Sequence, residues 1–166
     1  MQGFRQTVVR WTTLALASGC FISYLPVWLL PNRRATGAGL TGSVWGVLLL
    51  RGLPVTFWSG AAVWAGAVAL SVAVSDAAEE TMGRKDDQRI VIDEFVGTWT
   101  AVLFLPRSPF AVALAFLLFR LFDTWKPAGI RRLGDLPGGW GVVLDDLAAG
   151  AAANGCLRLL QLLHPL

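Results

Sequence analysis

Long uncharged stretches alternate with short polar segments along the chain. Residues 11–30 and 55–75 carry no charged side chain. As helices, both are about 30 Å long, which is enough to cross a bilayer. A third apolar segment, residues 142–163, contains Asn154 and Arg158. Strand-like alternation nowhere persists for more than a few residues, so the pattern predicts an all-α protein. We expect a compact, multi-pass, membrane-embedded helical bundle.

Two shorter apolar runs lie in the middle of the chain, at residues 95–105 and 110–119. Each is about 17 Å long as a helix, too short to cross a bilayer alone. The segment between them, residues 106–109, reads Pro-Arg-Ser-Pro and is typical of a tight turn. The sequence therefore predicts a short central helical hairpin over about residues 95–122.

The remaining segments complete a single predicted domain over residues 1–166. Residues 31–43 contain Gly, Pro and two Arg and are predicted to form a loop, which precedes a short apolar run at 44–50. Asp76, Glu79 and Glu80 have helical spacing and should extend the 55–75 helix into water.

The composition narrows the class of protein. Apolar residues make up 55% of the chain and charged residues 15%, against about 25% charged in soluble domains. Lipid is the simplest solvent for such a chain, although a small, unusually apolar soluble bundle is the alternative. A net charge of +3 from scattered residues argues against a nucleic-acid partner. The two cysteines have no metal-binding spacing.

The acidic residues are confined to one part of the chain. All eleven lie between Asp76 and Asp146. A turn at residues 106–109 places the two open ends of the hairpin side by side, next to the end of the 55–75 helix and the start of the last helix. We expect this layer to collect Asp93, Glu94, Arg120, Asp123, Lys126, Asp145 and Asp146.

Such a layer has the chemistry of a metal-dependent phosphate site. Clustered carboxylates repel each other unless a positive charge lies among them. The single histidine, His164, is close to the end of the chain. Oxygen ligands alone favour Mg²⁺, with Mn²⁺ or Ca²⁺ as alternatives. Arg120 and Lys126 have the chemistry to bind a substrate phosphate, so the layer suits phosphoryl transfer on a lipid headgroup.

Each group also has a purely structural interpretation. The acid pairs 93–94 and 145–146 fit helix capping, and Lys126 fits an interfacial lysine at a helix end. Arg120 and Asp123 fit a local ion pair. A solvated helix face would account for Glu79, Glu80, Asp86 and Asp87. Several ionisable groups that converge beside membrane segments nevertheless favour a functional site.

Three separated motifs resemble the signature of the phosphatidylglycerophosphatase A family. They are residues 90–97 (IVIDEFVG), 119–127 (FRLFDTWKP, followed by Ile130-Arg131) and 138–150 (GGWGVVLDDLAAG). Their order and spacing agree over roughly residues 70–155. The N-terminal half departs from the family, with Ala38-Gly39 where Pro-Gly is usual.

The resemblance implies hydrolysis of phosphatidylglycerophosphate to phosphatidylglycerol and phosphate, with Mg²⁺, in phospholipid biosynthesis. It implies a phospholipid substrate and a multi-pass protein of the bacterial inner membrane. By the positive-inside rule, the bases Arg84, Lys85, Arg89, Arg131 and Arg132 favour a cytoplasmic active face.

The resemblance also implies roles for single residues. The implied metal ligands are Asp93, Glu94, Asp123, Asp145 and Asp146. The implied catalytic groups are Asp93, Glu94, Asp123 and Asp146. In the mechanism that we expect, Asp93 or Asp146 acts as the general base. Arg120 and Lys126 are the implied phosphate ligands. Two alternatives remain: a phosphatase for another lipid phosphate, such as phosphatidate, and a non-enzymatic cation-binding membrane protein.

Overall fold

The computed structural model describes residues 2–29 and 37–163, and within these ranges it is helical, without a β-strand. This confirms the predicted all-α class. A short 3₁₀ turn, Leu50–Gly52, joins the third and fourth helices. The helices are α1 (Gln2–Ala17), α2 (Tyr24–Leu29), α3 (Ala38–Leu48), α4 (Phe57–Met82), α5 (Ile92–Val102), α6 (Pro109–Trp125), α7 (Ala128–Leu133) and α8 (Gly139–Leu163).

Helix α5 is the centre of the bundle and packs against α3, α4, α6 and α8. Residues 96–102 are all buried. A Cβ added at Gly97 would lie 2.6 Å from the ring of Phe119, and one at Gly150 would lie 2.4 Å from the carbonyl oxygen of Gly97. Only glycine permits this approach, which brings the first turns of α5 and α8 to the same end of the bundle.

The central hairpin forms as predicted from α5 and α6, but α6 is longer than its apolar run. Ser108 caps its start, since the Ser108 Oγ accepts a hydrogen bond from the Ala111 N–H at 3.1 Å. Pro109 follows at the first helical position, where its missing N–H costs nothing. The helix ends at Trp125, and its C-cap residue Lys126 has a left-handed φ of 40°. The extra turn carries Asp123 towards the start of α8.

The predicted continuous span over residues 11–30 is wrong. Helix α1 ends at Ala17, and residues 18–23 form turns with positive φ at Gly19, Cys20 and Phe21. The chain turns because it is hydrogen-bonded to the segment before α5. The Val91 N–H donates to the Ala17 carbonyl at 2.8 Å, and the Ser23 Oγ donates to the Arg89 carbonyl at 2.6 Å. The hydropathy of the segment does not predict these hydrogen bonds.

The predicted loop at residues 31–43 is also wrong from residue 38 onwards, where α3 begins. The earlier part of that loop, with Arg33 and Arg34, lies outside the described residues. A Cβ at Gly42 would lie 2.3 Å from the Val91 carbonyl oxygen, and one at Gly46 would lie 2.7 Å from the Thr98 Cβ. Gly42, which belonged to the predicted loop, thus lies with Gly46 on the contact face of a helix.

Helix α4 is the one described helix that is long and apolar enough to cross a membrane, by length and composition. It includes Asp76 and the acids that follow, as predicted. Its exterior is apolar, with Trp58 82% exposed and Leu70 50% exposed. A single helix of this kind is limited evidence for membrane association, and the predicted multi-pass arrangement is not confirmed.

Candidate active site

Three carboxylates from two helices form an oxygen cluster at one end of the bundle. Asp93 and Glu94 lie in the first turn of α5, and Asp146 lies in α8. One oxygen from each lies within 4.8 Å of the other two. All three side chains keep a buried oxygen without a hydrogen-bond partner: Asp93 Oδ1, Glu94 Oε2 and Asp146 Oδ2. Buried charge without a partner is costly, so this arrangement favours a bound cation.

The electrostatics of the cluster lead to the same conclusion. Burial, together with the charge of Asp146, raises the pKa of Glu94 to about 8. Burial and the neighbouring Glu94 raise the pKa of Asp93 well above its usual range. Burial and the charge of Asp123 do the same for the pKa of Asp146. A cation among the three groups would reverse these shifts, and oxygen ligands alone suit a hard divalent ion.

Two basic side chains stand beside the cluster. The Arg120 Nη1 lies 2.8 Å from Asp123 Oδ2, and it also donates to the Ser43 Oγ at 3.3 Å. The Lys126 Nζ pairs with the Asp145 carboxylate and lies 3.7 Å from Asp123 Oδ1. Arg has five N–H donors and Lys has three, so both bases retain donors for a phosphate.

The environment of Lys126 fixes its protonation state. Burial lowers the pKa of Lys126, but the carboxylates of Asp145, Asp146 and Asp123 outweigh burial and raise the pKa above its ordinary value. Lys126 therefore stays cationic in the physiological range. It can stabilise negative charge on a phosphate but cannot serve as a general base.

Asp123 and Asp145 lie outside the three-carboxylate group. The Asp145 carboxylate binds Lys126 through Oδ2, and its Oδ1 accepts a hydrogen bond from the Asp146 N–H at 3.0 Å. Asp123 is bound by the two bases. Its charge nevertheless raises the pKa of both Glu94 and Asp146. The seven predicted residues thus form two neighbouring sets, a cluster of three acids and a chain of ion pairs that joins two acids and two bases.

Helix α3 supplies a wall that sequence reasoning missed. A Cβ added at Gly39 would lie 2.2 Å from Glu94 Oε1 and 3.2 Å from the Arg120 Nη1. One turn later, Ser43 binds the same Arg120. Both residues were visible in the sequence as part of a Gly-rich segment, but their role depends on a helix that the glycines seemed to exclude.

The capping interpretation of residues 93–94 is not supported by the geometry. The N-cap of α5 is Val91, and no side chain caps this terminus. A different acid orders the start of α8: Asp76 Oδ1 accepts a hydrogen bond from the Gly139 N–H at 3.1 Å. Gly139 lies so close to α4 that a Cβ would be 2.0 Å from the Val72 carbonyl oxygen. This contact fixes α8 and thereby Asp146.

The predicted solvated face is wrong for Asp87. Its side chain is buried and forms a two-point ion pair with Arg89, at 2.7 and 2.8 Å. The Arg89 guanidinium holds the pKa of Asp87 below its ordinary value. Asp86 is exposed, as predicted, but its charge contributes to the raised pKa of Asp93 and Asp145. The loop before α5 therefore takes part in the electrostatics of the site.

Comparison with known proteins agrees with the chemistry of this end of the bundle. The family model described as Phosphatidylglycerophosphatase A matches residues 15–161. Phosphatidylglycerophosphatase A of Escherichia coli is 41% identical over 78 residues, which cover 46% of this chain and 45% of that protein. The enzyme of the same name from Haemophilus influenzae is 33% identical over 127 residues, 75% of this chain and 77% of that protein.

A third relative carries a different name. A Bacteroides thetaiotaomicron protein, provisionally named a phosphatidylinositol-3-phosphatase, is 35% identical over 125 residues, 72% of this chain and 78% of that protein. No solved structure matches the chain. The resemblance that the three motifs indicated is confirmed, and a phosphatase replaces the non-enzymatic alternative.

Proposed function

Because the chain belongs to the phosphatidylglycerophosphatase A family of phosphatases, we propose that it hydrolyses phosphatidylglycerophosphate to phosphatidylglycerol and phosphate. The observation that carries this proposal is the cluster of Asp93, Glu94 and Asp146, each with a buried oxygen that has no hydrogen-bond partner, beside two cationic side chains. Carboxylates that need a cation, next to bases that bind phosphate, are the parts that phosphomonoester hydrolysis requires.

We propose Mg²⁺ as the cation, because the cluster offers only oxygen ligands. Asp93, Glu94 and Asp146 would hold it through the oxygens that have no other partner. Asp123 and Asp145 are further candidate ligands, since their charges already act on the cluster. When bound, such a cation supplies Lewis-acid polarisation of the phosphoryl oxygens and lowers the pKa of water.

The protein's own groups then have distinct tasks. Arg120 and Lys126 bind the phosphoryl oxygens and stabilise the charge that develops on them. Asp93 or Asp146 accepts the proton of the attacking water, since each is a buried carboxylate within the cluster. Gly39 leaves room for the Glu94 carboxylate beside Arg120, so Glu94 and Arg120 can approach the substrate together.

The carboxylate cluster lies at one end of the bundle, and we place this end at the level of the lipid headgroups. We place the protein in the bacterial inner membrane as a multi-pass protein, with α4 as a span and the carboxylate end at the cytoplasmic surface. Arg84 and Lys85 follow α4 directly at this end, which agrees with the positive-inside rule. Retention in the membrane fraction after alkaline carbonate extraction would support this placement, and release would contradict it.

The direct test is phosphate release by purified protein from phosphatidylglycerophosphate in mixed micelles. We expect release that depends on Mg²⁺, stops with EDTA and returns when excess Mg²⁺ is added. No release under these conditions would contradict the proposal. The name of the Bacteroides relative favours a second candidate substrate, a phosphomonoester on an inositol lipid. A panel that also contains phosphatidate and phosphatidylinositol 3-phosphate separates the three by kcat/KM.

A further inference from the structure

An open recess of about 580 Å³ adjoins the candidate site where α6 passes into α7. Lys126 belongs to both, because it lines the recess and also pairs with Asp145. The recess is therefore continuous with the carboxylate end of the bundle. Its lining residues are Trp125, Lys126, Pro127, Arg131, Arg132 and Asp135.

The recess is cationic, with three basic side chains against the one carboxylate of Asp135. Arg131 and Arg132 are exposed, and neither guanidinium has a hydrogen-bond or ion-pair partner within residues 2–29 and 37–163. Arg120 and Arg158, by contrast, are both bound within the protein. Two free guanidinium groups next to a phosphatase site have their full hydrogen-bonding capacity available for an anion.

The local backbone holds these bases in place. Lys126 adopts a left-handed φ of 40°, which is uncommon outside glycine, and Pro127 prevents the helix from continuing. The Pro127 carbonyl then accepts hydrogen bonds from the N–H groups of Ile130 and Arg131, at 2.8 and 3.1 Å. This turn sets Arg131 and Arg132 beside Lys126. Trp125 is 67% exposed at the rim, as expected of an indole at a membrane interface.

We propose that this recess binds the phosphodiester of the lipid whose terminal phosphate lies at the carboxylate cluster. The inference rests on the proposed function. Phosphatidylglycerophosphate carries two phosphate groups joined by a glycerol unit, whereas phosphatidate carries only the phosphomonoester. Arginine forks bind phosphate oxygens at two points. Arg131 and Arg132 therefore select a headgroup with a second phosphate, and Lys126 lies between the two phosphate positions.

The test compares two substrates in micelles of an uncharged detergent. In the double variant Arg131→Gln/Arg132→Gln, we expect kcat/KM for phosphatidylglycerophosphate to fall by about 10- to 100-fold, mainly through KM, as for loss of charged hydrogen bonds. Hydrolysis of phosphatidate should change by less than about twofold, on the same reasoning. Inhibition by phosphatidylglycerol, which has only the diester, should weaken in parallel with the loss on phosphatidylglycerophosphate.

The matched control is Arg5→Gln/Arg10→Gln, which removes the same charge from exposed positions on α1, outside the recess. We expect both substrates to be hydrolysed as by the wild type. Equal losses on both substrates, or equal losses in the control, would overturn the proposal and assign the arginines to general attraction of anionic lipid. The wild-type rate on phosphatidylglycerophosphate tests the proposed function separately. The ratio between substrates tests the recess.

Discussion

Polar side chains lie at both ends of the helical bundle, but their hydrogen bonding differs between the two ends. At the end remote from the carboxylates, the Asn154 Nδ2 donates to the carbonyls of Thr100, Ala101 and Leu103, at 3.0 to 3.2 Å. The Arg158 Nε donates in turn to the Asn154 Oδ1 at 2.8 Å. These groups close the C-terminus of α5, whose last carbonyls have no partner within the helix.

Arg107 has a similar role nearby. Its guanidinium donates to the carbonyls of Leu50 and Leu53, at 3.0 and 2.5 Å, and to that of Pro54 at 3.3 Å. It thereby fixes the turn that follows α3. Partly buried polar groups that donate to backbone carbonyls in this way stabilise a fold, because those carbonyls gain hydrogen-bond donors.

The carboxylate end has the opposite character. Asp93, Glu94 and Asp146 converge there and leave oxygens with no donor in the described part of the chain. Such a cluster of carboxylates is unfavourable without a cation and becomes favourable when a cation binds. The difference between the two ends shows that a buried charge without a partner is a stronger sign of function than a buried charge that is paired.

Removal of one carboxylate from the cluster should have the largest effect on activity. We expect Asp146→Asn to lower phosphatase kcat by about a thousandfold or more, since a catalytic cation contributes several kcal/mol. In EDTA the variant should be at least as stable as the wild type, because an unpaired buried charge has gone. Steady-state kinetics and thermal unfolding in detergent measure both. A variant that is destabilised in EDTA yet fully active would indicate a structural carboxylate.

A smaller effect is expected from the wall formed by α3. Gly39→Ala places a methyl group 2.2 Å from the present position of Glu94 Oε1, so this carboxylate must move. We expect kcat/KM to fall by about 10- to 100-fold, as for a displaced catalytic group. Gly66→Ala on α4 is the control, since no atom lies within 4 Å of the added Cβ. Equal activity of the two variants would separate Gly39 from the site.

The opposite end should show the reverse behaviour. Asn154→Ala removes the donor to three carbonyls, and we expect the free energy of unfolding to fall by about 1–3 kcal/mol. Specific activity below the unfolding transition should stay at the wild-type level. Denaturant unfolding and a phosphate-release assay on the same sample check this. Loss of catalysis without loss of stability would show that the two ends are functionally coupled.

The smallest effect is a dependence of stability on pH. The folded protein without metal raises the pKa of Glu94 from an ordinary 4.5 to about 8, so it binds more protons than the unfolded chain between these values. Stability should therefore fall as pH rises through this window in EDTA. Added Mg²⁺ should stabilise more strongly near the top of the window than near its base. Unfolding midpoints at several pH values measure the trend, and a midpoint independent of pH in EDTA would argue against the buried charges.

The sequence predicted which residues meet at the site better than it predicted how those residues pair with one another. Residues 106–109 reverse the chain, so the start of α5 and the end of α6 lie at the same end of the bundle, where the charge of Asp123 acts on Glu94. The division of the five acids into a cluster of three and a pair bound to Arg120 and Lys126 depends on distances of a few ångströms. Sequence spacing does not determine such distances.

Helix α3 and the turn at residues 18–23 were not predicted, because the local sequence pattern is compatible with more than one structure. Gly39 and Gly42 lie in a segment that reads as a loop, yet they form the contact face of α3. Residues 18–23 are as apolar as their neighbours, although hydrogen bonds to the segment before α5 turn the chain there. In both cases tertiary contact, which composition does not report, overrides local preference.

In the proposed site, Asp93, Glu94 and Asp146 together hold a divalent cation. The most direct test is a Mn²⁺ titration of EDTA-stripped protein, with free Mn²⁺ followed by electron paramagnetic resonance, comparing the wild type with Asp146→Asn and with Glu80→Gln, an exposed acid outside the cluster. We expect saturable binding by the wild type and Glu80→Gln, competition by Mg²⁺, and loss of binding in Asp146→Asn. Undiminished binding in Asp146→Asn would contradict the claim.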